Sequence, residues 1–273
     1  ILIGSTTMTG DININATSWL DPMTFRTNTG VINVNGAQTM TGNALTFNTN
    51  ADLVLNANLT GTGALIISTI AASATTMGFG DTMVGTLNLT NAELTRIQFG
   101  WSGITLGSGT ANGALNLGAW TWDDVLTVST GSGNLTAAAT TMTLANGVTF
   151  SSASGNASVA NITTVTGSAT LTATTGTVTL NGATIGTGGG LTINANNNVI
   201  LGGNINGSAG GTLTISSATP TATFGIGDTM IGNVNLTNAE LAFIQSNWGN
   251  LIFGSTAITG AMNCPTGCGP KSR

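Results

Sequence analysis

Histidine and tyrosine do not occur in this 273-residue chain, and charged side chains make up only 5% of it. Each absence removes a class of function. Without an imidazole, no histidine base can activate a serine or cysteine nucleophile, and the GxSxG elbow is missing as well. Four basic residues cannot build the footprint that a phosphate backbone requires, so a nucleic-acid partner is excluded. Apolar runs such as Ala64–Ile67 fall far below the ~20 residues of a membrane-spanning helix. "GTGGG" at Gly186–Gly190 lacks the lysine and the following helix of a phosphate loop and reads as a corner. No cofactor is expected.

Two cysteines are present, Cys264 and Cys268, spaced as "CPTGC" in a tail covering residues 264–273. Three states stay open for them: a small disulfide ring, a bond between subunits, or free thiols. Zinc would need two more ligands, and histidine cannot supply them. The acids number nine, and Asp123–Asp124 is their one adjacent pair. Neighbours on a strand point to opposite faces, so this pair does not read as a converging catalytic couple. No catalytic residue is assigned.

What the chain has in quantity is glycine, at 40 positions, and short apolar bursts separated by Thr, Asn, Ala and Ser. An apolar content of 41% with a net charge of -5 predicts folding, since disorder goes with low hydrophobicity and high charge. "ALTFNT" (44–49), "DLVLNA" (52–57) and "GLTINA" (190–195) alternate with period two, as strands with one buried face do. Gly, Asn and Asp between them fit corners.

The bursts recur. "PMTFRT" at Pro22 returns as "ALTFNT" at Ala44, Leu45 is followed by Leu65, and Leu171, Leu191 and Leu213 continue the rhythm. A period near 21 predicts an all-β chain, a coil of stacked strands sharing one core over residues 1–263. At ~4.8 Å per strand this predicts about 12 to 13 coils and a rod of roughly 60 Å. A longer unit overlies the short one. "GITLGSGTANGALNLG" (103–118) resembles "NLIFGSTAITGAMN" (250–263) and the opening "ILIGSTTMTG". Their aliphatic starts are Ile1, Ile104 and Leu251, and the second interval exceeds the first by the length of two whole coils.

"GDTMVGTLNLTNAEL" (80–94) and "GDTMIGNVNLTNAEL" (227–241) are the longest repeated phrase. Thr90 with Glu93, and Thr237 with Glu240, match the capping box, threonine at the N-cap and glutamate at the third helical position. Short helices are therefore expected near 91–99 and 238–246, with Trp101 and Trp248 packing where the chain rejoins the coil.

These phrases, together with "LDPMTFRTNTGVINVNGAQTM" and "ALTFNTNADLVLNANLTGTGALII", resemble the repeat regions of filamentous-haemagglutinin-like bacterial adhesins. The resemblance covers about residues 1–263. It implies a right-handed parallel β-helix (a β-solenoid), export from the cell, and a role in adhesion or surface fibres. The leading expectation is a secreted, non-enzymatic subunit or segment of an extracellular filament or adhesin, stacked head to tail with itself and contacting host or surface glycans. Carbohydrate binding through Trp19, Trp120 and Trp122 is an alternative, and polysaccharide cleavage a remoter one. Ice recognition is a further alternative, but a Thr-x-Thr row like that in "TLTATTGTVTL" (170–180) reads as broken where neighbouring coils carry "LTIN" and "LTFN".

Overall fold

The computed structural model describes residues 1–137, 142–254 and 259–264. Alternation becomes strand as expected. In Leu126–Thr130, Leu126, Val128 and Thr130 are buried while Thr127 and Ser129 are half-buried. A strand this short cannot bury its apolar face alone, and the chain answers by stacking such strands in parallel. Eleven of them, from Leu2–Gly4 to Asn250–Phe253, form one long sheet. Shorter parallel sheets line two further faces of each regular coil. The protein is a β-solenoid of about ten turns, some 22 residues apart, with only two short helices among the described residues.

Strand registers fix the length of each turn. Met23 pairs with Leu45, Leu45 with Leu65, Val148 with Ala169 and Leu191 with Leu213, so the same inward position returns once per regular coil. Two coils are much longer. Leu65 pairs with Ile104 and Leu213 with Leu251, nearly twice the regular interval. Those two coils absorb the residues that a uniform period assigns to extra turns. The long sheet therefore has ten steps, about 48 Å at the usual strand spacing, rather than 12 to 13 coils. Ile1 and Ile104 are separated by four steps, Ile104 and Leu251 by six, so the second interval is indeed longer by two whole coils. One pairing differs from the sequence reading: Leu171 stacks on Ile193, and Leu191 on Ala169.

The extra length is an excursion. Met77–Phe79 pairs with Leu87–Leu89 of its own coil and with Leu115–Leu117 of the next. Helix α1 (Asn91–Leu94) follows, and α2 (Asn238–Ala242) occupies the same place in the second long coil. Each is a single turn, shorter than the expected 91–99 and 238–246. Ile97 and Ile244 bridge in parallel to Leu59 and Ile205, and this return to the ladder ends the helix.

The core runs from end to end. Phe25 stacks on Phe47 at 5.9 Å between ring centroids, and Val128, Phe150 and Leu171 continue the same column. Each large inward side chain contributes on the order of 1.5–3 kcal/mol by burial. Several buried hydroxyls at the corners are bonded to the preceding coil. Thr49 Oγ1 donates to the Gly30 carbonyl at 3.1 Å, and Ser152 Oγ to the Gly133 carbonyl at 3.0 Å. Among the described residues, no helix is long and apolar enough to cross a membrane.

Candidate functional surfaces

The charged groups are the scarcest material in this protein, so their placement comes first. Seven of the nine acids accept backbone N–H groups: Asp11, Asp52, Asp81, Glu93, Asp124, Asp228 and Glu240. They fill places where a coil departs from the regular ladder and leaves a donor bare.

The repeated phrase is the densest case. Thr90 Oγ1 accepts the Glu93 N–H at 3.3 Å, and Glu93 Oε2 accepts the Thr90 N–H at 2.9 Å. Thr237 and Glu240 repeat both bonds at 3.2 and 2.9 Å. Asp81 and Asp228 accept the N–H of the first helical residue, Asn91 and Asn238, at 2.7 and 2.9 Å. The second carboxylate oxygen of each glutamate leaves the helix. Glu93 Oε1 accepts the Leu55 N–H at 3.1 Å, and Glu240 Oε1 accepts the Leu201 N–H at 3.2 Å. Leu53–Leu55 is the last strand of its sheet, and the carboxylate replaces part of the ladder that the excursion interrupts.

Asp52 lies at the same seam, accepting the N–H of Leu53 and, across the break, of Asn88 at 2.8 Å. Asn198 stands in its place in the second long coil and accepts the Asn235 N–H at 3.0 Å. Burial pushes the Asp52 carboxyl above its ordinary 3.8, the Glu93 charge pushes the same way, and the two backbone donors oppose them. A raised carboxyl pKa means that the folded state holds its proton more tightly, so stability falls as pH rises through the window above 3.8. Asp52→Asn is therefore expected to raise stability at pH 7 and to leave it nearly unchanged below about pH 2.5, where the native aspartate is protonated in both states. Denaturant titrations at the two pH values check this; equal effects at both would refute it.

The tryptophans divide. Trp101 and Trp122 are buried, and Trp19 donates from Nε1 to Gln38 Oε1 at 2.9 Å while meeting Phe25 edge-on. Trp101 lies on Gly61 and Trp248 on Gly207, each indole covering a glycine of the preceding coil. Trp120 and Trp122 both line an open recess with an exposed aromatic, Phe99, but Trp122 is buried and Trp120 is the half-buried one of the pair. This cleft, about 220 Å³, lies between the Ile97 segment and the strand Thr121–Trp122, where the third face is interrupted. Asp123 and Asp124 border it but do not act together. Asp124 accepts the N–H groups of Gly100 and Trp101 at 3.1 Å, whereas Asp123 is exposed.

The end coils differ from the interior in one respect. The column that holds fully buried Leu45, Leu65 and Leu126 ends on Ile1, 64% exposed, and on Leu251, 51% exposed. Leu2–Gly4 and Asn250–Phe253 are the edge strands of the long sheet. Cys264 is half-buried at the margin of the described residues, and Cys268 lies outside them. Among the described residues, no group of three metal-ligating side chains comes together. No protein-family model, curated protein or solved structure matches this chain.

Proposed function

We propose that this chain is a non-enzymatic structural segment of an extracellular filament or surface adhesin, extended by head-to-tail stacking of coils. One observation carries the reading: eleven strands of the long sheet stack in parallel and in register, so each coil is a template of the same width for the next. An edge strand offers a row of unpaired N–H and C=O groups, and a coil of the same width satisfies it. Heterologous end-to-end contacts of this kind build open filaments rather than closed rings. Carboxylates committed to backbone donors suit a scaffold better than a reaction centre. A second reading, glycan binding, rests on the cleft beside Phe99 and Trp120 and is compatible with the adhesin role.

Assembly has a direct test. The purified chain is expected to show concentration-dependent growth by sedimentation, with rods longer than one solenoid under the electron microscope. Ile3→Lys puts a charge on the edge strand Leu2–Gly4 and is expected to stop that growth while leaving the circular-dichroism melt unchanged. A wild-type chain that remains monomeric at millimolar concentration overturns the proposal.

A further inference from the structure

The long sheet carries a regular hydroxyl surface that is independent of the end coils. Thr105, Thr127, Thr149, Thr170, Thr192 and Thr214 are successive partners in its ladder, one per coil over six consecutive strands. All six are half-buried on the outward side. Thr24 and Thr46 continue the column beyond Ile66. Within these six strands the row looks broken only at the next outward position, where Asn194 stands; the first position is threonine throughout. That second outward column holds Ser129, Ser151, Thr172 and Asn194, small and uncharged over the same coils.

Among the described residues, none of the six hydroxyls has a hydrogen-bond partner within the protein, in contrast to the corner hydroxyls bonded to the preceding coil. Their partners are in the solvent. The ladder runs through all six without a bulge, which places them about 4.8 Å apart along the rod, and the two columns about 6.6 Å apart. The spacing along the rod is close to the shortest lattice repeat of oxygens on the faces of ice. Threonine is stiff at χ1, so each coil presents its methyl and hydroxyl in the same attitude at little entropic cost. Strongly hydrated charges, which would disrupt such an arrangement, are missing from both columns between Thr105 and Thr214.

We infer that this face binds ice, the methyl groups ordering a water layer that the hydroxyls anchor. The inference goes beyond the filament reading and does not depend on it.

The test is thermal hysteresis, together with partition of the purified chain into a slowly growing ice hemisphere. The wild-type chain is expected to shape ice crystals and to enter the hemisphere. Thr149→Lys with Thr170→Lys is expected to abolish both effects, while Thr179→Lys, on the outward side of another face, retains them. Circular-dichroism melts establish that the variants fold. A wild-type chain excluded from ice and without hysteresis overturns the inference, and so does equal activity of the two lysine variants. Threonine pairs also stabilise ladders, but that contribution moves the melting midpoint and not the partition into ice.

Discussion

Gly61→Ala, the addition of one methyl group, is expected to destabilise the protein by about 3 kcal/mol, at the upper end of what overpacking costs. A Cβ at Gly61 would overlap the six-membered ring of Trp101. That indole is itself buried and lies against the third face of the solenoid, so it has no free volume to retreat into. Neither can the glycine move alone, because its strand, Leu59–Gly61, is held by the preceding strand on one side and by the Leu59–Ile97 bridge on the other. The comparison that isolates the cause is a double-mutant cycle. In a Trp101→Ala background, already costly by about 3–5 kcal/mol through loss of the indole, the same methyl is expected to cost under about 1 kcal/mol. Gly207→Ala should repeat the result against Trp248. Gly109 is the control: a Cβ there meets nothing within 4 Å and its φ is not positive, so Gly109→Ala should be neutral or slightly stabilising. Equal midpoints for Gly61→Ala and Gly109→Ala in urea would refute the account.

This contact marks where the sequence stops being readable. Period-two alternation, the regular return of the strand bursts and the capping boxes are local patterns, and each needs only short stretches of chain to be recognised. Trp101 and Trp248 stand out by their equivalent positions, but the glycines they cover belong to the coil before. Only the stacking of coils brings Gly61 and Gly207 beneath them. A uniform period overcounts the coils for a related reason. It treats every residue as part of a regular turn, while the structure places the whole span from Ser68 to Gly103 in one long coil. The threonine column looks broken when strands are compared at their second outward residue. Register, which the ladder fixes and the sequence only suggests, decides which residue is the neighbour.

The carboxylate seam carries the same lesson into a measurable effect. Read locally, Glu93 and Glu240 are helix caps, and removing a cap of this kind costs about 1 kcal/mol. The structure adds an acceptor role for a strand of the preceding coil, at Leu55 and Leu201. Glu240→Ala therefore uncaps α2 and also strips the Leu201 N–H of its partner, and a buried bare donor costs about 1–3 kcal/mol more. A total near ~3 kcal/mol is expected for either alanine variant.

Glutamine discriminates further. It has the length of glutamate but only one oxygen, so it can serve the helix or the strand and turns an NH2 towards the donor it fails. Glu240→Gln should fall between wild type and alanine. Glu93→Gln should cost less than Glu240→Gln at pH 7, because it also relieves the repulsion with Asp52, whereas Asn198 in the second long coil carries no charge. The difference should shrink when both variants are placed in an Asp52→Asn background. If glutamine proved neutral at both positions, each glutamate would be a helix cap alone, and the two excursions would be joined to the rod by apolar packing without the carboxylate bridge.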